Sequence, residues 1–386
     1  MRWHKADRVM HAVSIPAEFS IHRRMMLAGA ATSLAMVACR GASAATEKLT
    51  VRIGFASVGA ENRPFTGGSS AAIVHAERYL ENEFKDTPDL KIEWSFFKGA
   101  GPAVNEAFAN GQLDFALQGD LPAVIGRANG LKTKILAATG AHAPMYLAVT
   151  KGSPIRRVED LRGKRVSIFR GTNNHLAAVK VLAAYGLQEK DLQVINMDTA
   201  TTSAALIAGD IDAAFGNFPL SALAERGLAE IVYSTKGDKR SFERHSMLIG
   251  WAPFVDKHPE VTQRIVTAIV RAARWASDEA NRDAVFEIWA KSGFPASTYR
   301  FDFDGQKLQY RASPLIDDFI VEQYRFQARQ AKEHGLVRRD VDITGWFDRK
   351  FLDRSLVQLE LTDYWTEFDA QGQAVAAKAE KRSDVR

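Results

Sequence analysis

LDFALQGDLPAVIGRANGLKTKILAA, residues 113–138, carries the reading that decides the fold. Leu113 to Ala116 reads as a short strand, Leu121 to Asn129 as an amphipathic helix, and Lys134 to Ala138 as a second strand. Short apolar runs alternating with helical stretches are the mark of a layered α/β domain. The same alternation continues upstream, with strands predicted at Lys48 to Phe55 and Leu90 to Phe97 and helices at Ser69 to Phe84 and Pro102 to Ala109.

Downstream a second set begins near Met145. Its strands are Met145 to Thr150, Arg165 to Phe169, Gln193 to Met197 and Ala213 to Phe215, and its helices Asn174 to Tyr185 and Thr201 to Ala208. Gly186 closes the first of these helices as a C-terminal cap. From about Ser246 the chain turns back, with a strand at Met247 to Ala252 and a long amphipathic helix at Pro259 to Ala276, and stays mostly helical to about Asp369. The expected organisation is a discontinuous first lobe, residues 45–142 plus 246–370 with a helical C-terminal part, enclosing a second lobe, 143–245. Two connections between the lobes, near 140–146 and 238–247, form a double-crossover hinge that allows closure around a ligand. Residues 371–386, rich in Ala, Lys and Glu, read as a flexible tail.

The 386 residues suffice for about two domains. Their basicity sits at the N-terminus, where residues 1–44 hold Arg2, Lys5, Arg8, Arg23, Arg24 and Arg40 against Asp7 and Glu18. Without that segment 45 Lys and Arg face 44 Asp and Glu, so charge gives no reason to expect a nucleic-acid partner. Arg23-Arg24, the apolar stretch Met25 to Ala38 and the small-residue site Ala42-Ser43-Ala44 read as an export signal over residues 1–44, compatible with twin-arginine secretion. Cys39, the single cysteine, follows Met36-Val37-Ala38; discard with the leader is favoured over a lipid anchor there. The chain after Ala44 then has no cysteine, which removes disulfides, thiolate metal sites and a cysteine nucleophile. His75, His142, His175, His245, His258 and His334 are scattered without metal-ligand spacing, so neither metal nor other cofactor is expected.

Four segments share one design, in which a strand ends, small residues follow and a helix begins. They are Lys98-Gly99-Ala100-Gly101-Pro102, Gln118-Gly119-Asp120-Leu121-Pro122, Arg170-Gly171-Thr172-Asn173-Asn174 and Gly216-Asn217-Phe218-Pro219. Free N–H groups and the positive end of the helix dipole make such turns anion sites when several face one cleft, and each lobe contributes two. Taken singly, each is an ordinary α/β turn; joint occurrence in both lobes carries the functional reading. The candidate ligand-binding residues are Ser57, Arg63, Gly101, Gly119, Asp120, Arg170, Gly171, Thr172, Asn173, Asn174, Asn217 and Phe218. Arg63 and Arg170 offer forked donors, though solvated surface positions are the commoner fate of arginine. Gly99-Ala100-Gly101-Pro102-Ala103-Val104 fails as a dinucleotide fingerprint, since Val104 replaces the last glycine and Pro102 removes a donor.

At these residues the sequence resembles the periplasmic binding proteins for aliphatic sulfonates, nitrate and taurine of ABC transporters. The likeness runs through Phe97 to Pro102, Gly111 to Phe115, Gly119 to Ala123, Lys151 to Ile155, Asp160 to Val166, Gly209 to Ala213, His258 to Val261 and the segment from Val341 to Leu352. It implies a type II periplasmic-binding fold, a small anionic ligand held between the lobes, an inner-membrane permease as partner, and a monomer in the periplasm. The loop after the first strand is longer than the family's usual form, and Gly216-Asn217-Phe218-Pro219 stands where many members carry Trp-Asp-Pro. Same-fold enzymes are the rivals. A pyrimidine synthase of the thiamine pathway carries a cysteine-rich motif, and a desulfinase needs a cysteine after the first strand, where this chain has Ser57-Val58-Gly59-Ala60. A binding protein that feeds a sensor is a further alternative, since it too signals by closed lobes.

Overall fold

The computed structural model describes residues 48–375; the leader, Cys39 and residues 376–386 of the tail lie outside them. The first lobe opens with β1 (Leu49–Phe55), α1 (Ser70–Ala76), α2 (Tyr79–Glu83), β2 (Leu90–Phe96), α3 (Ala100–Ala109), β3 (Phe115–Gly119), α4 (Asp120–Ala128) and β4 (Thr133–Ala143). Then come β5 (Tyr146–Thr150), β6 (Arg165–Ser167), α5 (Asn173–Ala184), β7 (Gln193–Ile195), α6 (Thr199–Ala208), β8 (Ala213–Gly216), α7 (Phe218–Glu225) and β9 (Ala229–Ser234). The chain returns through β10 (Arg244–Trp251) into α8 (Ala252–Lys257), α9 (Pro259–Ala276), α10 (Arg282–Ala290), α11 (Ala296–Asp302), α12 (Leu308–Arg311), α13 (Asp318–Glu333) and α14 (Lys350–Gln358).

Two five-stranded sheets result, in the orders β2-β1-β3-β10-β4 and β7-β6-β8-β5-β9. Each contains a parallel trio, β2-β1-β3 or β7-β6-β8. Each also takes in one antiparallel strand: β10 lies between β3 and β4, and β5 between β8 and β9. The first segment to enter each sheet from the other lobe is therefore clamped on both edges, which fixes where the two connections run.

The pairing explains where the strands exceed their apolar runs. Leu117 and Gln118 extend β3 to Gly119 because they pair with Leu248 and Met247 of β10. One helix was expected over Ser69 to Phe84; two form, because Arg78 adopts a left-handed φ of 55° and breaks the ladder between them. The long helix forms over Pro259–Ala276, with Ile265, Val266, Ile269, Val270 and Ala273 turned into the first lobe's core at the 3-4 spacing of one helix face. The outer edge of β4 is covered by the C-terminal segment: Ile135 N–H donates to the Trp346 carbonyl, and Trp346 Nε1 reaches Thr133 Oγ1 at 3.2 Å.

Trp289 of α10 ties the helical part to the loop after β1. Its ring is 2% exposed and packs on Tyr299 and Phe303, while Nε1 donates to the Ser69 carbonyl at 3.1 Å. Trp289→Ala should cost about 3–5 kcal/mol of folding free energy, as large-to-small changes of buried aromatics do. A urea titration checks this, and a loss below about 1 kcal/mol means that the region collapses around the gap.

Candidate functional site

A cavity of about 980 Å³ lies between the sheets and is lined from both lobes. Four helices begin at its wall: α3 through Ala100 and Gly101, α4 through Gly119 and Pro122, α5 through Thr172, Asn173 and Asn174, and α7 through Asn217, Phe218 and Pro219. None of their N-cap residues, Gly99, Gly119, Thr172 and Asn217, closes the helix with a side-chain hydrogen bond. By contrast Ser69, Asp198 and Asp317 do cap α1, α6 and α13. The four cleft-facing helices thus point N–H donors and positive dipole ends at one space.

Of the residues singled out in the sequence, Ser57, Gly101, Gly119, Thr172, Asn173, Asn174, Asn217 and Phe218 line the cavity, and Arg63, Asp120, Arg170 and Gly171 do not. Arg63 is exposed, its stem lying over Gly293, and Arg170 pairs with Glu189 at 3.5 Å. Gly171 packs across the lobes against Pro102: a Cβ there would meet Pro102 Cγ at 3.0 Å. Gly119 likewise admits Asn173, whose Nδ2 would lie 2.7 Å from an added Cβ, so these glycines set how closely the lobes approach.

Asp120 is buried behind the wall, where its carboxylate accepts from Leu121 N–H at 2.7 Å, Gln327 Nε2 at 2.9 Å and His245 N–H at 3.3 Å. It joins α4 to α13 and β10, and burial raises its pKa. Lys180 of α5, also buried, donates to the Ser241 carbonyl in the second connection, and burial pushes its pKa down to about 8.

Eight charged residues line the cavity: Glu61, Asp198, Glu225 and Asp302 against Lys98, Arg226, Arg244 and Arg311. Position decides their weight. Glu61, Lys98, Glu225 and Arg226 are exposed, and charges there are screened by water and salt. Lys98 also meets Asp198 at 3.5 Å, and Glu225 accepts from Ser297 and Thr298 hydroxyls. The buried set is Arg244, Arg311 and Asp302, which leaves one positive charge in excess. Asp302 is taken by Arg311 Nη2 at 2.8 Å and by the Tyr146 hydroxyl at 2.9 Å. Arg244 Nη2 donates to the Pro144 carbonyl, its Nε is buried without a partner, and it makes no ion pair among the described residues. Burial pushes its pKa down to about 10, which leaves it charged at neutral pH.

Arg244 was absent from the sequence-derived set because that reasoning followed strand-to-helix turns. The available signal was an arginine at the mouth of the apolar run Met247 to Trp251, in the segment where the chain re-enters the first lobe. Asp302, Arg311 and Tyr146 carried no local signal, since their meeting depends on tertiary packing.

Lys180 supplies a pH test. Between its folded pKa of about 8 and the ordinary 10.5, the unfolded chain binds the proton that the folded one lacks, so its contribution to stability rises with pH over that window. Relative to Lys180→Met, the wild type should gain on the order of 3 kcal/mol from pH 8 to 10.5 in paired denaturant titrations. Parallel pH profiles for the two proteins contradict the assignment.

A sequence model described as NMT1/THI5 like matches residues 90–282, half of the chain. A periplasmic sulfonate-binding protein, SsuA, of a sulfonate ABC transporter from Methylobacillus flagellatus KT has a solved structure that superposes with a TM-score of 0.71 at 30% identity, covering 84% of this chain and 98% of that one. An Escherichia coli K12 protein named for binding aliphatic sulfonates is 25% identical over 72% of this chain and 84% of its own length. The desulfurization enzyme DSZB shares the fold, with a TM-score of 0.59 at 18% identity over 80% of this chain and 99% of its own. The two-lobed architecture is that of the SsuA-like periplasmic binding proteins.

Proposed function

This chain belongs to the NMT1/THI5-like family, and on that footing we propose that it is an exported solute-binding protein of an ABC importer that captures a small organic or inorganic oxyanion, an aliphatic sulfonate by first choice, between its lobes. The observation that carries the reading is the buried guanidinium of Arg244, which lines the cavity and has no carboxylate of its own among the described residues. An unpaired buried ion costs several kcal/mol, and an anion in the cavity offsets that cost while accepting hydrogen bonds from Arg244 and from uncapped helix N-termini. Screened rim charges offer no comparable gain. The relatives' names point the same way, toward sulfonates and ABC transport. The partners on this reading are the anionic ligand and an inner-membrane permease, with a monomer working in the periplasm. A desulfinase reading has Ser57 where its nucleophile belongs, and Ser57 lies on the cavity wall with no base bonded to it among the described residues.

Thermal-shift measurements with alkanesulfonates, taurine, nitrate, sulfate esters and uncharged analogues test the proposal. A ligand that binds only the folded state at a hundred times its Kd adds about 2.7 kcal/mol. Anions should raise the melting temperature, and Arg244→Gln should weaken their binding tenfold or more, the usual loss for a hydrogen bond to a charged group. Stabilisation by a neutral sugar or a metal ion, with none by any anion, refutes the reading.

A further inference from the structure

Of the acids that line the cavity, Asp302 is the one whose charge bears most on the buried Arg244, and among the described residues it makes no ion pair with it. Asp302 ends α11 and lines the same cavity as Arg244. Its two oxygens are already committed, Oδ2 to Arg311 Nη2 at 2.8 Å and Oδ1 to the hydroxyl of Tyr146 at 2.9 Å. Arg311 is fixed in turn: Nη1 donates to the Asp302 carbonyl at 3.2 Å and to Gln306 Oε1 at 2.6 Å, and its guanidinium lies 4.0 Å from the centre of the Phe303 ring. Arg244 meanwhile bonds the carbonyl of Pro144, two residues before Tyr146 on the same connection between the lobes. Both arginines and the aspartate are thus packed around one short stretch of chain, yet only one arginine has the acid.

We infer that Arg311 is a positioning residue for ligand binding: it holds the Asp302 carboxylate away from Arg244, so that the only counter-ion left for Arg244 is the bound oxyanion. The inference rests on the oxyanion reading above. Without Arg311, Asp302 is a buried carboxylate beside a buried cation, and the pair neutralises itself by a change of side-chain rotamer. The cavity floor then carries no excess positive charge and offers an incoming anion no unpaired cation. Tyr146 extends the same control across the lobes, because its hydroxyl reaches from β5 of the second lobe to α11 of the helical part.

Neutralising the acid separates this role from a structural one. Binding of sodium hexanesulfonate to the purified protein is measured by titration calorimetry for the wild type, Arg311→Gln, Asp302→Asn and the double variant, with circular dichroism melts on each. Arg311→Gln is expected to lose tenfold or more in affinity. Asp302→Asn is expected to bind at least as tightly as the wild type, and the double variant, which has Arg244 and no competing acid, to recover to within about threefold. Arg311→Lys keeps the charge beside Asp302 and should also bind, which serves if Arg311→Gln does not fold. Wild-type affinity in Arg311→Gln, or a double variant as weak as that single change, overturns the inference and leaves the oxyanion reading standing. A wild-type protein that binds no sulfonate of any kind overturns the reading, and the inference with it.

Discussion

The antiparallel seating of β10 between β3 and β4 is the constraint on which the rest depends. It returns the chain to the first sheet, completes that sheet's register from Ser246 opposite Gly119 to Gly250 opposite Phe115, and brings Arg244 to the inner end of the cleft. The second sheet does the same with β5, whose first residue is Tyr146. The two strands that cross between the lobes therefore deliver the buried arginine and its neighbouring hydroxyl to the same place. A slip of one residue in either pairing turns every side chain of that strand to the other face and dismantles the site.

Charge in the cleft is sorted by depth. At the rim Lys98 and Asp198 meet across the lobes in a bridge whose lysine is half exposed, a contact worth about 1 kcal/mol or less. At the floor the same kinds of charge are removed from water, where each unmet group weighs several times more. Counting charges around the cavity gives four of each sign and no information. Counting those that are buried and unpaired gives Arg244.

Much of this was legible in advance because it is local. Layered α/β alternation, the interrupted first lobe, the helix over Pro259–Ala276 and the four strand-to-helix turns follow from periodicity and from Gly, Pro and Asn at fixed offsets. Lys98, Gly119 and Asn217 sit on the cavity wall because the turns that hold them are set by a few neighbouring residues. The charged floor is different in kind. Arg244, Asp302 and Arg311 are up to 67 positions apart, and nothing near any of them in sequence says which acid will meet which base. The same limit applies to Arg63 and Arg170, whose loops were plausible but whose side chains turn to Gly293 and Glu189. It applies as well to Asp120, which stands at a turn of the right design and faces α13 instead of the cavity.

The uncapped helices have a consequence for folding as well as for binding. The N-cap residues Gly99, Gly119, Thr172 and Asn217 make no side-chain bond into α3, α4, α5 and α7, at a typical cost of roughly a few tenths of a kcal/mol for each glycine and about 1 kcal/mol for each of Thr172 and Asn217. On the proposed reading the ligand supplies those missing caps for both lobes at once. The empty protein is then an unfinished fold held in two halves, and whatever completes its helices also closes it.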